Sequence, residues 1–421
     1  MDLKVPRDRE SLYYPAFFSC FILTTSDLAV NKHMRIIKLH THYQQSGGED
    51  QSFIAEVAIL RQRGHHVVDL TFHNQELDRM PPWRQGLVTL WNCEAYRRVR
   101  EAIRQHRPDL VHAHNTFPLA SPAVIHAAKA ERVPVVMTLH NYRLLCVNAL
   151  FFREGRVCEA CLGRLPWRGV LYRCYRESRA ASTVVAGLIV LHRVLGTWSL
   201  VDRFIALTEF ARQKFIEAGL PPEKIAVKPN FVHPDPGPGE GRGGYALFVG
   251  RLSQEKGLGT LLRAWEHLGG RVLLKIVGDG PLAPRVQEAQ DRIPGVEWLG
   301  RKTPEEVYTL MGEAAFLVLP SEWYETFGRV AIEAFAKGTP VLASDIGAVG
   351  EIISHGRTGL KFRPGDPEDL AAKVEWLLSH PRELERMRRE ARAEYEAKYT
   401  AEKNYEQLMA IYREVLNERR R

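Results

Sequence analysis

Glu325 and Glu333 stand with seven residues between them in the run Ser321-Glu322-Trp323-Tyr324-Glu325-Thr326-Phe327-Gly328-Arg329-Val330-Ala331-Ile332-Glu333. An apolar strand at 316–319 precedes this run, and helical periodicity starts near Gly328. That places Glu325 in a loop and Glu333 in the second turn of a helix. A carboxylate so placed can accept hydrogen bonds from vicinal hydroxyls, and the amides of Phe327 and Gly328 at the helix start suit phosphate or sugar oxygens. Two acidic groups near a helix start also serve as simple dipole-stabilising caps, and the motif alone leaves both readings open. Upstream, Arg251 and Lys256 fall between a strand at 245–249 and a helix at 257–267. Two cations beside a helix N-terminus favour a diphosphate, although cations in loops are commonly only solvated. Gly278, in Val277-Gly278-Asp279-Gly280-Pro281, permits close backbone approach to a ligand, or merely a tight turn.

The first half of the chain carries three further sets. Ser46, Gly47, Gly48, Glu49 and Asp50 lie after a strand and before a helix. His114 and His140 each end a strand, and two histidines at neighbouring strand ends can face one cleft, whereas a lone one is more often core or surface. Four of the six cysteines, Cys146, Cys158, Cys161 and Cys174, fall within 29 positions. Their Cys-x2-Cys centre with two flanking cysteines fits a tetrahedral structural zinc site, unmetallated thiols being the alternative. The surrounding insertion, 144–180, is rich in arginine and also holds Phe151, Phe152 and Trp167. It is expected to form a lid on the acceptor side.

The elements that must position these residues alternate. Strands are predicted at 34–39, 65–70, 109–113 and 133–139, with helices at 51–63, 94–106 and 120–130 between them. The loop carrying the two glycines is placed at 41–50. After residue 244 the alternation resumes through strands at 245–249, 271–277, 296–299, 316–319 and 341–343, with helices at 257–267, 282–293, 304–313 and 328–337. Such alternation implies parallel sheets covered on both faces. The Pro- and Gly-dense stretch 231–244 reads as a linker. The chain therefore divides into an extension at 1–33, a domain at 34–230, the linker, a domain at 245–395, and a terminal amphipathic helix at 396–421. Ligands of these sheets bind beyond the carboxyl ends of the strands, so the cleft between the domains is the expected site.

A chain of 421 residues with 45% hydrophobic and 26% charged content has the composition of a globular protein of two domains. Its net charge of +8 is unevenly shared: residues 1–230 hold 31 Lys and Arg against 21 Asp and Glu. That asymmetry points to an anionic lipid surface or a phosphorylated acceptor as partner, a solvated surface being the plain alternative, and no nucleic-acid module accompanies it. No stretch is long and apolar enough for a membrane span; residues 180–195 come nearest and read as a buried or membrane-surface helix. Residues 1–33 lack the basic start and cleavage site of a secretory signal, which points to the cytoplasm.

Glu325-x7-Glu333, preceded by Gly250, Arg251 and Lys256, resembles the signature of the family 4 retaining glycosyltransferases of GT-B fold, in which two Rossmann-like domains face a central cleft. The resemblance spans about 34–421 and is strongest over 245–370. It implies a nucleotide-diphosphate sugar as donor, with Glu333 on the ribose, Glu325 on the transferred sugar, and Arg251 and Lys256 on the diphosphate. Gly278, Thr326, Phe327 and Gly328 would line the donor site, and Gly47 and Gly48 would approach it across the cleft. His140 would lie beside the reacting sugar, forming the reaction centre with Arg251, Lys256 and Glu325. His114 and Glu49 are expected on the acceptor side, Glu49-Asp50 marking a subset of the family. The implied chemistry is transfer with retention, assisted by the departing phosphate and needing no catalytic metal. The acceptor would be a saccharide or lipid-linked, with peripheral contact at the inner face of the plasma membrane. A sugar-nucleotide epimerase and a non-catalytic sugar-nucleotide-binding protein are the competing readings.

Overall fold

A computed structural model describes residues 33–44 and 47–419. The expected extension at 1–33 lies outside these except for His33, and Ser46 also lies outside. The first series of elements runs β1 (Arg35–His42), α1 (Gly48–Gln62), β2 (His66–His73), α2 (Pro82–Leu90), α3 (Cys93–His106), β3 (Leu110–Ala113), α4 (Ala123–Ala130) and β4 (Val135–Leu139). It continues through a short hairpin, β5 (Phe152–Arg153) and β6 (Arg156–Val157), then α5 (Trp167–Leu171), α6 (Arg179–Val194), β7 (Arg203–Ala206), α7 (Glu209–Glu217) and β8 (Ile225–Val227). Apart from the hairpin, these strands form one parallel sheet in the order β2-β1-β3-β4-β7-β8.

The second series runs β9 (Tyr245–Val249), α8 (Leu258–Leu268), β10 (Leu273–Val277), α9 (Ala283–Arg292), β11 (Val296–Gly300), α10 (Pro304–Glu313), β12 (Phe316–Leu319) and α11 (Arg329–Ala336). It ends with β13 (Val341–Ser344), α12 (Gly347–Ile352), β14 (Gly359–Phe362), α13 (Pro367–Ser379), α14 (Pro381–Lys398) and α15 (Ala401–Glu418). Its parallel sheet is ordered β11-β10-β9-β12-β13-β14. The strand order reverses between β9 and β12, and ligands of open α/β sheets bind outside the strand ends at such a point.

Both sheets are buried on two faces, which is why strands such as Phe316–Leu319 read as unbroken apolar runs. In the first sheet Ile37, Val111 and Met137 pack with α3 and α4, while Ile36, Leu110 and Val136 pack with Phe53 of α1 and with Leu408 and Tyr412 of α15. The terminal helix thus serves the first domain's core. The terminal helix read at 396–421 is α15, which starts at Ala401; residues 396–398 finish α14, which stays on the second domain through Ala391 and Tyr395. The break falls at Tyr399 and Thr400, where the Thr400 hydroxyl caps α15 by accepting the Lys403 amide at 3.3 Å.

Two boundaries near the site move. Helix α1 starts at Gly48 instead of 51, because the Asp50 carboxylate accepts the Gly47 amide at 2.8 Å and closes the first turn. Strand β1 runs on to His42, so the glycine loop is shorter than its sequence implied. Residues 231–244 form no helix or strand, yet they are pinned to the second domain: Arg392 pairs with Asp235 at 2.6 Å and Arg388 donates to the Gly239 carbonyl at 3.0 Å. The apolar run at 180–195 is α6, with one face buried through Val185, Leu188 and Ile189 and its end, Val194, exposed. No described helix is long and apolar enough to cross a membrane.

Candidate active site

The loops after β9 and β12 meet because glycines allow it. Gly257 has φ +71°, and a Cβ there would sit 1.7 Å from the Pro320 carbonyl oxygen. Gly278 has φ +140°, and its Cβ would fall 1.9 Å from the Gly250 oxygen. Both are backbone-to-backbone contacts that no side chain tolerates. The turn role of Gly278 is therefore the structural one, while it still lines the cleft. Close approach at Gly257 brings Lys256 over Glu325: the ammonium donates to Oε1 at 2.7 Å, and the Ser321 hydroxyl donates to the same oxygen at 2.5 Å. Burial alone would raise the Glu325 carboxyl, but Lys256 and these hydrogen bonds outweigh it and hold it below the usual range, so it is ionised. Arg251 is exposed at the same wall, and among the described residues its guanidinium has no hydrogen-bond or ion-pair partner.

Glu333 accepts from Arg329 Nε at 2.8 Å, one helical turn away. Arg329 also donates to the Ser52 hydroxyl of α1 at 3.2 Å, joining the two domains. The same side chain lies against Gly48, whose Cβ would be 3.7 Å from Arg329 Cδ. Thr326 is a second bridge: its hydroxyl donates to the His140 carbonyl at 2.7 Å, and its carbonyl accepts from Thr208 at 3.2 Å. Its hydroxyl is thus taken up between domains. The Phe327 ring is buried against Tyr399 in the second core, so this residue's side chain is packing. Gly328 caps α11.

Across the cleft stand Gly47, Gly48, Glu49 and His140, which together with Arg251 and Thr326 line two adjoining cavities of about 1250 and 590 Å³. Lys256, Glu325 and Glu333 line the smaller one. Glu49 Oε1 accepts from Asn141 Nδ2 at 2.7 Å, while Oε2 is enclosed without a protein partner. Burial, only partly offset by hydrogen bonds from Asn141 and Tyr43, pushes the Glu49 carboxyl up to about 7. His140 is held well below its ordinary value, first by burial and then by the neighbouring His114, and is neutral.

His114 lines neither cavity. It stands behind His140, almost wholly buried, with Nδ1 2.9 Å from His140 Nε2 and Nε2 2.6 Å from Lys38 Nζ. Strand alternation explains this: a strand-end histidine points into the cleft or into the layer beneath, and one residue of register decides which. The sequence reading passed over Arg329, Asn141 and Lys38. The i,i+4 spacing of Arg329 and Glu333 was a visible signal for the first; nothing local marks Lys38, a lysine inside an apolar strand, as a partner of a residue 76 positions away.

In the insertion the four cysteines gather, Cys146, Cys158 and Cys161 all lying near enough to act on the Cys174 thiol, but without closing to ligand distance. Among the described residues, the His, Cys, Asp and Glu groups with ligand atoms all within 4.8 Å are His40–His42–Asp50 and Glu56–His112–His114. No three of the cysteines come together this closely. Cys146, Cys158, Cys161 and Cys174 form no disulfide, and burial together with the neighbouring cysteines pushes Cys161 and Cys174 up to about 11. The two histidine clusters are held together by protein hydrogen bonds. One Asp50 oxygen accepts from both His40 and His42, at 2.8 and 2.9 Å. In the other cluster, the Lys38 ammonium lies among Glu56, His112 and His114.

Comparison with known proteins agrees with this architecture. The family model described as "Glycosyltransferase Family 4" matches residues 51–236, and "Glycosyl transferases group 1" matches 238–394. An uncharacterized glycosyltransferase of Methanocaldococcus jannaschii is 25% identical over 390 residues, 91% of this chain and 99% of its own length. A glycogen synthase of Mycobacterium tuberculosis is 31% identical over 301 residues, 69% of this chain and 64% of its own. Among solved structures, a glycosyltransferase of Rickettsia africae superposes with a TM-score of 0.66 at 18% identity, covering 91% of this chain and 99% of that one. HepE of Anabaena in complex with UDP gives 0.65 at 18% identity, covering 90% and 99%. These two superpositions establish the shared fold. With both domains matched in order and their strand ends facing one cleft, the chain belongs to the family 4 glycosyltransferases of GT-B fold, enzymes that draw on nucleotide-sugar donors.

Proposed function

We propose that this cleft transfers a hexosyl group, with retention, from a nucleotide-diphosphate sugar to a saccharide or lipid-linked acceptor in the synthesis of an envelope polysaccharide, glycolipid or glycoconjugate. The observation that carries the reading is the Lys256–Glu325 pair beside the unpartnered Arg251, opposite Gly47, Gly48 and His140. Arg251 and Lys256 receive the diphosphate and offset the charge that builds on it as the glycosidic bond breaks. Gly47 and Gly48 leave room for the phosphates. Glu333 takes the ribose hydroxyls, for which Arg329 must share or yield its carboxylate. Glu325 orients the transferred sugar while holding Lys256 in place, so the chain's share of catalysis is positioning and fixed charge. HepE has been solved with UDP and with UDP-glucose, which makes uridine nucleotides the first donors to try.

The test is thermal shift across UDP-, GDP- and ADP-sugars, since a ligand at a hundredfold its Kd stabilises by about 2.7 kcal/mol. One class should raise the melting temperature of the wild type and not of Glu333→Ala. A Glu333→Ala protein with unchanged donor affinity would point to a different donor site. Acceptor-free product analysis separates transfer from epimerisation.

A membrane-borne acceptor is supported by the surface of the first domain. Leu165, Trp167 and Val194 are between 58% and 79% exposed, and Arg193 donates to the Arg164 carbonyl at 3.1 Å, which brings the turn before α5, with Arg164 and Arg168, to the end of α6. Apolar anchors with cations suit an anionic bilayer. Co-sedimentation with anionic but not neutral vesicles is the expected result, and binding unchanged in Arg164→Glu/Arg168→Glu would oppose this reading.

A further inference from the structure

Behind His140 runs a buried polar chain that the transfer reaction as described does not use. Lys38 on β1 contacts Glu56 of α1, His112 Nδ1 at 2.9 Å and His114 Nε2 at 2.6 Å. Lys228 donates to the other Glu56 oxygen at 3.1 Å and to Asn404 of α15 at 3.1 Å. Tyr412 of α15 reaches His112 at 2.6 Å. Lys38, Glu56, His112 and His114 are all almost wholly buried, and their donors and acceptors meet one another directly.

Donor and acceptor roles along this chain are determined by counting. An ammonium has three donors and no lone pair. Lys38, bonded to Glu56, stands 2.6 Å from His114 Nε2, whereas the Glu56 Oε1 that could accept from that nitrogen is 3.4 Å away; the shorter contact, with an ammonium, requires a lone pair on Nε2. His114, neutral, then carries its proton on Nδ1, which faces His140 Nε2 at 2.9 Å and must donate to it. His140 Nε2 is therefore an acceptor, and the remaining proton of the neutral ring sits on Nδ1. That atom has no partner among the described residues and is open to the cleft that the ring lines. We propose that Lys38 and His114 are positioning residues that lock His140 in its Nδ1–H tautomer, so that it offers the substrate a hydrogen-bond donor and not a basic lone pair.

Charge states agree with this geometry. Burial brings Lys38 down to about 8 against the pull of Glu56, leaving it an ammonium at neutral pH, and burial takes His114 down to about 3. An N–H donor suits an oxygen of the donor sugar or of its diphosphate. A histidine in this state cannot take the acceptor's proton through Nδ1, which leaves that role to the departing phosphate or to Glu49.

The tautomer itself does not depend on the functional reading; its effect on turnover does. The experiment is nitrogen NMR of the full-length protein with ring-labelled histidine, comparing wild type, Lys38→Met, His114→Gln and His114→Leu. The wild type should show His140 protonated on Nδ1. His114→Gln should preserve it, because a carboxamide can accept from Lys38 and donate to His140. Lys38→Met and His114→Leu should release it to a mixture with Nε2–H. With UDP-glucose as probe and nucleotide release as readout, His114→Leu should lose at least about tenfold in kcat with KM nearly unchanged, and His114→Gln should stay within about threefold of wild type, since a wrong tautomer disables a catalytic histidine while leaving its position intact. An Nε2–H His140 in the wild type overturns the inference. So does a His114→Leu protein that keeps both the tautomer and kcat, or a His114→Gln protein as impaired as His114→Leu. An Nδ1–H His140 in a wild type that releases no nucleotide from any of the three sugar-nucleotide classes would count against the functional reading alone.

Discussion

At the scale of single residues, the cleft is a set of charges whose states are decided by their partners. Glu325 and Glu49 are both enclosed carboxyls at its walls, yet one is ionised by Lys256 and the other, with a bare oxygen, holds its proton to about 7. Because the Glu49 pKa is raised on folding, its contribution to stability is complete below about pH 4.5 and is lost as pH rises through 7. Urea melts from pH 5 to 8 should therefore show wild type losing on the order of 2 to 3 kcal/mol relative to Glu49→Gln. Parallel pH curves for the two proteins would contradict the assignment. Lys256→Met leaves the buried Glu325 carboxylate without its cation, and a loss of about 1 to 3 kcal/mol is expected. That loss should shrink at low pH, where Glu325 protonates, and should be accompanied by loss of the donor-induced thermal shift.

Elements place these residues through contacts that sequence records only as glycine. The 1.7 Å that separates a hypothetical Cβ at Gly257 from the Pro320 oxygen means that the loop before α8 and the end of β12 touch backbone to backbone. Gly257→Ala must push them apart while also placing alanine at φ +71°, and it should destabilise by about 2 kcal/mol or more. Because Lys256 adjoins the displaced backbone, donor affinity should fall as well, which calorimetric titration with the nucleotide found in the screen would measure. The alternation of strands and helices was legible from residue 34 onward because two-sided burial makes strands continuous apolar runs and gives helices one apolar face. Less legible were α2, α7, β7 and β8, and the hairpin β5–β6, whose two-residue strands owe their pairing to the turn around Gly155 and not to any pattern of their own.

At the scale of the whole molecule, the proposed reaction site exists only where the domains meet, and side chains of both hold them in this register, Glu351 accepting the Glu209 and Phe210 amides at 2.9 and 2.7 Å among them. Thr326 to His140 and Arg329 to Ser52 are the bridges closest to the site. Thr326→Val removes the first at an expected cost of about 0.5 to 1.5 kcal/mol. Small-angle scattering should then show a larger radius of gyration without ligand and recovery of the compact form with saturating donor, since closing the cleft brings both halves of the site onto it. An unchanged radius would mean that α15, which leaves the second domain to pack on the first, already restrains the hinge.

From the sequence alone came the two α/β domains, the residues proposed for the donor half of the site and the glycine loop opposite it, because Arg251, Lys256 and Glu325 lie in loops at strand ends, Glu333 follows in the next helix, and the ends of parallel strands share one edge of the sheet. Only the tertiary structure decided which histidine meets the cleft and which lies behind it, that the insertion's cysteines gather without three sulfurs closing to within 4.8 Å, and that Lys38, Lys228 and Tyr412 form one buried network with Glu56. Those relations join segments tens to hundreds of residues apart, and they are set by strand register and by the return of α15, neither of which leaves a periodic mark in the chain.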